Sequence, residues 1–302
     1  MAQPRLADYA MLLFLGISWG SAFMFIGVAV KSVPPTTLTA VRCVIASIAL
    51  LAVARAMGHA IPRDRRNWLL YLALGLTNSG IPFILISLGQ TRIDSSLAAI
   101  LIATVPLFTL VLAHVFTEDK STPRRTVGAL IGFGGIILLV GPTALAGIGG
   151  DVAAQLMIVG GALCFAITQI LVKRYRGGPP IVGAGCSIAC SAIWTIPLAL
   201  VLDRPWQVEP TLLATGAAVV LALVSTAATH FVFFLLIGRT GPQFVTMNNY
   251  IAPGVGLLLG VALLGEQPHW TAYAALAVIV TGIAVATRRT QPRPAPAPAE
   301  AR

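Results

Sequence analysis

Charge is what this chain has least of. Only 10% of its 302 residues are Asp, Glu, Lys or Arg, and the acids number ten. A soluble domain carries about 25% charged residues, so a water-solvated surface is excluded for most of the sequence. Cysteine and histidine are scarce too, four of each. Cys43, Cys164, Cys186 and Cys190 all fall within apolar runs and read as small core residues, not as a disulfide framework. Cys186 and Cys190 share a helix face, but no His, Asp or third Cys nearby completes a metal site. No cofactor-binding pattern is present. His-Glu-x-x-His, Gly-x-Ser-x-Gly, a phosphate-cradling loop and paired acids within an apolar run are all missing, which argues against an enzyme.

What is abundant is apolar: 57% of the residues are hydrophobic. They come in runs of about 20, each long enough to cross a hydrocarbon core of roughly 30 Å as a helix. Ten such spans are expected, over 9–30, 36–57, 68–88, 95–116, 125–142, 152–173, 180–202, 211–236, 242–264 and 270–287. Breakers such as Val33-Pro34-Pro35, Thr122-Pro123, Gly241-Pro242 and Gln267-Pro268 separate them. The fold class is therefore an all-α polytopic membrane protein whose first partner is the lipid bilayer. The first eight residues are too short and too little basic for a secretory signal, so the first run is expected to remain as a helix.

The net charge of +10 is not a nucleic-acid signature, because the basic residues sit in short loops between spans. They report orientation instead. With the N-terminus cytoplasmic, 16 Lys and Arg fall on the cytoplasmic side, and only Lys31, Arg92 and Arg204 on the other. Both termini are thus expected inside, in the cytoplasmic (inner) membrane of a bacterium. The Pro/Ala-rich tail 291–302 reads as disordered and cytoplasmic.

The chain also reads as written twice. A shift of 145 residues carries Gly16 to Gly161, Lys31 to Arg176 and Pro34-Pro35 to Pro179-Pro180. Leu88-Gly89-Gln90-Thr91 resembles Ile237-Gly238-Arg239-Thr240, and Pro106, Asp119 and Gly135 match Pro253, Glu266 and Gly282. Five spans per half is an odd number, so residues 9–142 and 152–287 are expected as two inverted five-helix repeats. Transporters built this way bind solute near mid-membrane, between the repeats. Asp119 and Glu266, at span ends, are expected to be solvated and to brace loops.

The run Trp19-Gly20-Ser21-Ala22-Phe23, the duplication, and Asn248-Asn249-Tyr250-Ile251-Ala252-Pro253 followed by Leu264-Gly265-Glu266 resemble the EamA-type branch of the drug/metabolite transporter superfamily. Asn78-Ser79-Gly80-Ile81-Pro82-Phe83 is similar to the first half of many members. The resemblance covers residues 9–287. It implies ten helices in two inverted repeats, alternating access and often export of amino acids or other small metabolites. It specifies the solute poorly, and the halves differ where Trp19 aligns with Cys164.

Intramembrane charge is costly and marks function or a satisfied pair. Arg42 lies about two turns into the second span, with no acid inside any span. It is read either as a cation facing a cavity, holding a solute carboxylate, or as a helix brace that snorkels outward. His230 is a proton-coupling candidate or an imidazole bonded to a neighbouring hydroxyl. Thr246, Asn249 and Pro253 share one helix face. Pro253, Pro106 and Pro82 each free the carbonyl four residues earlier, so these helices are expected to kink and to serve as gates. Trp19, Ser21, Phe23, Asn78, Phe83, Phe165 and Gln169 complete the expected solute lining. A cavity with so little fixed charge suits a small neutral or zwitterionic metabolite, with protons as the coupling ion to consider. The alternatives are an exporter of lipophilic or drug-like compounds and a channel-like uniporter. No sequence feature specifies an oligomeric state.

Overall fold

The computed structural model of the protein describes residues 5–116, 122–145, 149–172, 178–240, 242–245 and 248–287. No strand occurs among them. The helices are labelled α1 (Leu6–Ala29), α2 (Pro35–Ala56), α3 (Arg65–Gly89), α4 (Ser95–Phe116), α5 (Pro123–Leu145), α6 (Gly149–Val172) and α7 (Pro180–Leu202). After them come α8, which starts at Leu212 and runs to Thr240, α9 (Asn248–Leu264) and α10 (Trp270–Thr287). Seven are long and apolar enough to cross a membrane; shorter apolar stretches occupy Thr126–Leu139, Ile251–Leu264 and Trp270–Ala286. The 291–302 tail, expected to be disordered, lies outside the described residues, as does Asp119.

The three prolines expected to kink their helices are accommodated in three ways. Before Pro82, α3 widens into a π-helical segment, Gly75–Gly80, in which the Ile81 N–H reaches back five residues to the Leu76 carbonyl. The proline then sits in the first turn of the α-helix that follows, where its missing N–H costs least. Before Pro106, α4 breaks into a turn at Ala103 and Thr104. Pro253 is carried inside α9 without interrupting it. A second π segment, Leu223–Ala228, opens α8 with no proline to cause it. It lies 148 residues after the first, close to the spacing of the sequence matches.

Packing across the two halves is reciprocal. α2 lies on α7 and α5 on α10, while α1 packs on α8 and α9 and α6 packs on α3 and α4. Glycines set the closest of these approaches. A Cβ on Gly20 would stand 2.6 Å from the Ala252 carbonyl oxygen, and one on Gly75 would stand 2.5 Å from that of Ser187. Without an added hydrophobic drive between helices in lipid, such backbone proximity supplies much of the association.

One end of the bundle is tied shut by polar contacts. Glu266 accepts hydrogen bonds from the Ser95 and Ser96 amides, both 2.8 Å, and so caps the start of α4 from the α9–α10 loop. The carboxylate expected to be fully solvated is instead half-buried, because four unpaired amides at a helix start attract an anion. Gln90 Nε2 donates to the Phe23 carbonyl and to Ser95 Oγ, joining α3, α1 and α4. Asp203 likewise accepts from the Thr37 amide and hydroxyl at the start of α2. At the other end, Asp8 of α1 pairs with Arg239 of α8 at 2.9 Å.

Candidate functional site

α1, α2, α3, α4, α6, α7, α8 and α9 enclose a central cavity of about 1230 Å³ including its open mouth. Of the residues named from the sequence, Trp19, Phe23, Arg42, Asn78, Phe83, Phe165, Gln169, His230 and Pro253 line it. Ser21 does not: its hydroxyl turns back to the Ser18 carbonyl in its own helix. Pro82 and Pro106 lie behind the wall, represented at it by their neighbours Phe83 and Val105. Thr246 and the side chain of Asn249 lie outside the described residues. Lining residues Ile26 and Ile86 are buried, whereas Gln169 and Val172 are exposed or half-buried. The mouth therefore faces the end of the bundle where α1 begins.

The first π segment meets the α-helical turn that follows the second at the polar wall. Asn78, in the first, places its amide Nδ2 3.1 Å from His230 Nε2. His230 Nδ1 lies 2.7 Å from the Thr226 carbonyl, which can only accept, so the ring proton is on Nδ1 and Nε2 accepts from Asn78. Thr226, in the second π segment, donates to the Leu221 carbonyl five residues back and accepts from Arg42 Nε at 2.6 Å. The wider turn thus leaves a carbonyl that a side chain must satisfy, and the same side chain receives the cation. Arg42 also lies over the Phe83 ring, 3.7 Å to its centre, and is buried. It does not snorkel, and among the described residues it pairs with no acid. π turns of this kind recur at functional sites because they re-aim side chains without ending a helix.

Trp19 forms the aromatic side of the cavity, 5.4 Å from Phe233 and edge-on to His230 at 6.5 Å, centre to centre. Sequence reasoning missed Phe233, Phe234, Thr226 and Asn248. Thr226 precedes His230 by four residues, a same-face spacing that was there to be read. Asn248 stands four residues before the lining residue Ala252; it is 3% exposed, and its sealed Oδ1 has no hydrogen-bond partner among the described residues. Thr168 and Thr77 add a hydroxyl pair 2.9 Å apart that joins α6 to α3.

A solvent-reaching cavity at the centre of a bundle of apolar spans, with its polar groups on irregular helix turns, is the arrangement of a membrane transporter. The chain belongs to the EamA-like transporter family, whose model matches it at residues 7–141 and again at 152–288. Among its relatives is the uncharacterized inner membrane transporter YedA of Escherichia coli K12, 28% identical over 280 residues, 92% of this chain and 90% of that one. A probable terminal-alkyne amino-acid exporter of Streptantibioticus cattleyicolor is 27% identical over 281 residues, 91% of each chain. A solved crystal structure shares the fold with a TM-score of 0.67 at 20% identity, covering 94% of this chain and 98% of the other.

Proposed function

We propose that this transporter exports a small neutral or zwitterionic metabolite, an amino acid foremost, by alternating access between two inverted five-helix repeats. One observation carries the reading: both halves contribute side chains to a single central cavity, Asn78 and Phe83 from one and His230 and Phe233 from the other, beside π segments that lie 148 residues apart. The doubled family match and the reciprocal packing of α1 and α6 support the inverted-repeat reading. The amino-acid exporter among the relatives agrees with the solute class. With the N-terminus cytoplasmic, the mouth faces the cytoplasm, and the Gln90, Ser95 and Glu266 contacts close the outer side.

The moving parts are the helix pairs α3–α4 and α8–α9. Their π segments and the turn at Ala103 and Thr104 concentrate bending where backbone bonding is already irregular. His230 offers a coupling step. A proton on Nε2 removes the acceptor used by Asn78, so the α3–α8 contact must break or the amide must turn over. The aromatic wall of Trp19, Phe83, Phe165 and Phe233 favours a solute with an apolar body, and keeps lipophilic compounds as the second reading.

Counterflow in proteoliposomes tests the proposal. Unlabelled amino acids are trapped inside, the labelled forms are supplied outside, and an imposed pH gradient is present or absent. Transient accumulation of some zwitterions is expected. Its absence for every amino acid, in folded protein, would refute the solute class, and competition by hydrophobic cations would favour the second reading.

A further inference from the structure

The cavity wall holds a cation with no counter-ion among the described residues. Arg42 is 5% exposed, and its partners among the described residues, the Thr226 hydroxyl and the Phe83 ring face, are both uncharged. Among the described residues neither terminal guanidinium nitrogen has a hydrogen-bond partner, and neither is sealed from the cavity. No Asp or Glu lines the cavity among the described residues. A guanidinium withdrawn from water is stable only when its charge is met. Its Nε is used and its ring-facing side is covered, so what remains is the fork of terminal N–H groups. That fork matches a carboxylate in two parallel hydrogen bonds.

We infer that Arg42 is the carboxylate subsite of this transporter, with the Trp19–Phe233 wall receiving the solute's apolar part. This rests on the carrier reading of the cavity. It adds that the acid group, not the apolar body, is the obligatory feature of the solute. Decarboxylated amines and carboxamides of the same shape are rejected because they leave the buried cation unpaired.

The competing role for Arg42 is a brace that holds the π segment of α8 against α3. A brace affects folding and overall rate but not the choice between solutes, so discrimination is the readout. The full-length protein is reconstituted, and counterflow is measured for leucine, phenylalanine and threonine, each as the acid, the carboxamide and the decarboxylated amine. The acids are expected to be carried on the order of 100-fold more efficiently than the other two forms. Arg42→Gln is expected to bring the acids down to the level of the amides. Arg42→Lys keeps the charge without the fork, and is expected to lose about tenfold in rate while retaining the preference for acids. It serves as the readout if the glutamine variant does not reconstitute. Equal carriage of acid, amide and amine by the wild type overturns the assignment. So does an undiminished acid preference in Arg42→Gln, or a wild-type rate in Arg42→Lys. Those results leave the carrier reading standing, whereas absence of counterflow for every compound removes both.

Discussion

The cap on α4 is the contact whose removal has the most local consequence. Glu266 holds the Ser95 and Ser96 amides at 2.8 Å each, at the positive end of a helix dipole and from the opposite half of the chain. Replacing an N-cap acceptor by Ala costs up to about 2 kcal/mol, and the carboxylate's charge puts this site at the upper end. Glu266→Ala should therefore destabilise the start of α4 by about 2 kcal/mol, and Glu266→Gln by roughly half, since one acceptor survives. In hydrogen exchange the amides of Ser95 and Ser96 should lose about 30-fold in protection in the alanine variant, while α2 and α7 keep theirs. Gly260 provides an independent perturbation, because a Cβ there would stand on Glu266 Oε2. Gly260→Ala should push the carboxylate off the cap and reproduce most of the loss. The double variant Gly260→Ala with Glu266→Ala should cost little more than Glu266→Ala alone. Protection at Ser95 and Ser96 that stays within twofold of wild type in Glu266→Ala would refute the cap, and additive losses would refute the link to Gly260.

Four further outcomes follow from the same geometry. Partial burial, and then the charge of Glu266, raises the Asp94 carboxyl from its ordinary value. A raised folded-state value means that the ionised form is what folding disfavours. Asp94→Asn should therefore raise Tm at neutral pH, and the gain should fade as the pH drops through the carboxylate range; thermal unfolding in detergent across pH checks this. Gly20→Ala sets a Cβ 2.6 Å from the Ala252 carbonyl, forces α1 and α9 apart, and should cost about 1–3 kcal/mol in the same assay. Asn248→Ala should leave Tm unchanged or raise it in the same assay, since it removes a buried Oδ1 that has no hydrogen-bond partner among the described residues. His230→Ala should abolish any effect of a pH gradient on counterflow, and an unchanged gradient effect would remove this residue from the coupling step.

How far the site could be read in advance depended on the kind of signal. Trp19, Phe23, Asn78 and Phe83 are expected from the sequence as polar or large aromatic side chains within spans, and they line the cavity. Residue type does not give direction. Ser21 has the same credentials, yet its hydroxyl is consumed by the Ser18 carbonyl. Glu266 was placed at a span end correctly, but a span end does not reveal that the start of another helix lies within reach.

The amino-acid sequence by itself determined the apolar spans, the loops that carry the positive charge, and the doubled pattern that the family match follows. These depend on composition and spacing along the chain, which need no neighbour. Only the tertiary structure decided which face of each span looks inward. Lipid and protein interior are both apolar, so a membrane helix carries little of the periodicity that marks the buried side of a soluble one. The same limit hid the π segment Leu223–Ala228. No proline forces it, and it stands where Thr226 can satisfy the Leu221 carbonyl while accepting Arg42 from another helix. A group's partner across 184 residues of chain is set by how the helices pack, and that is what gives Arg42 its place in the cavity.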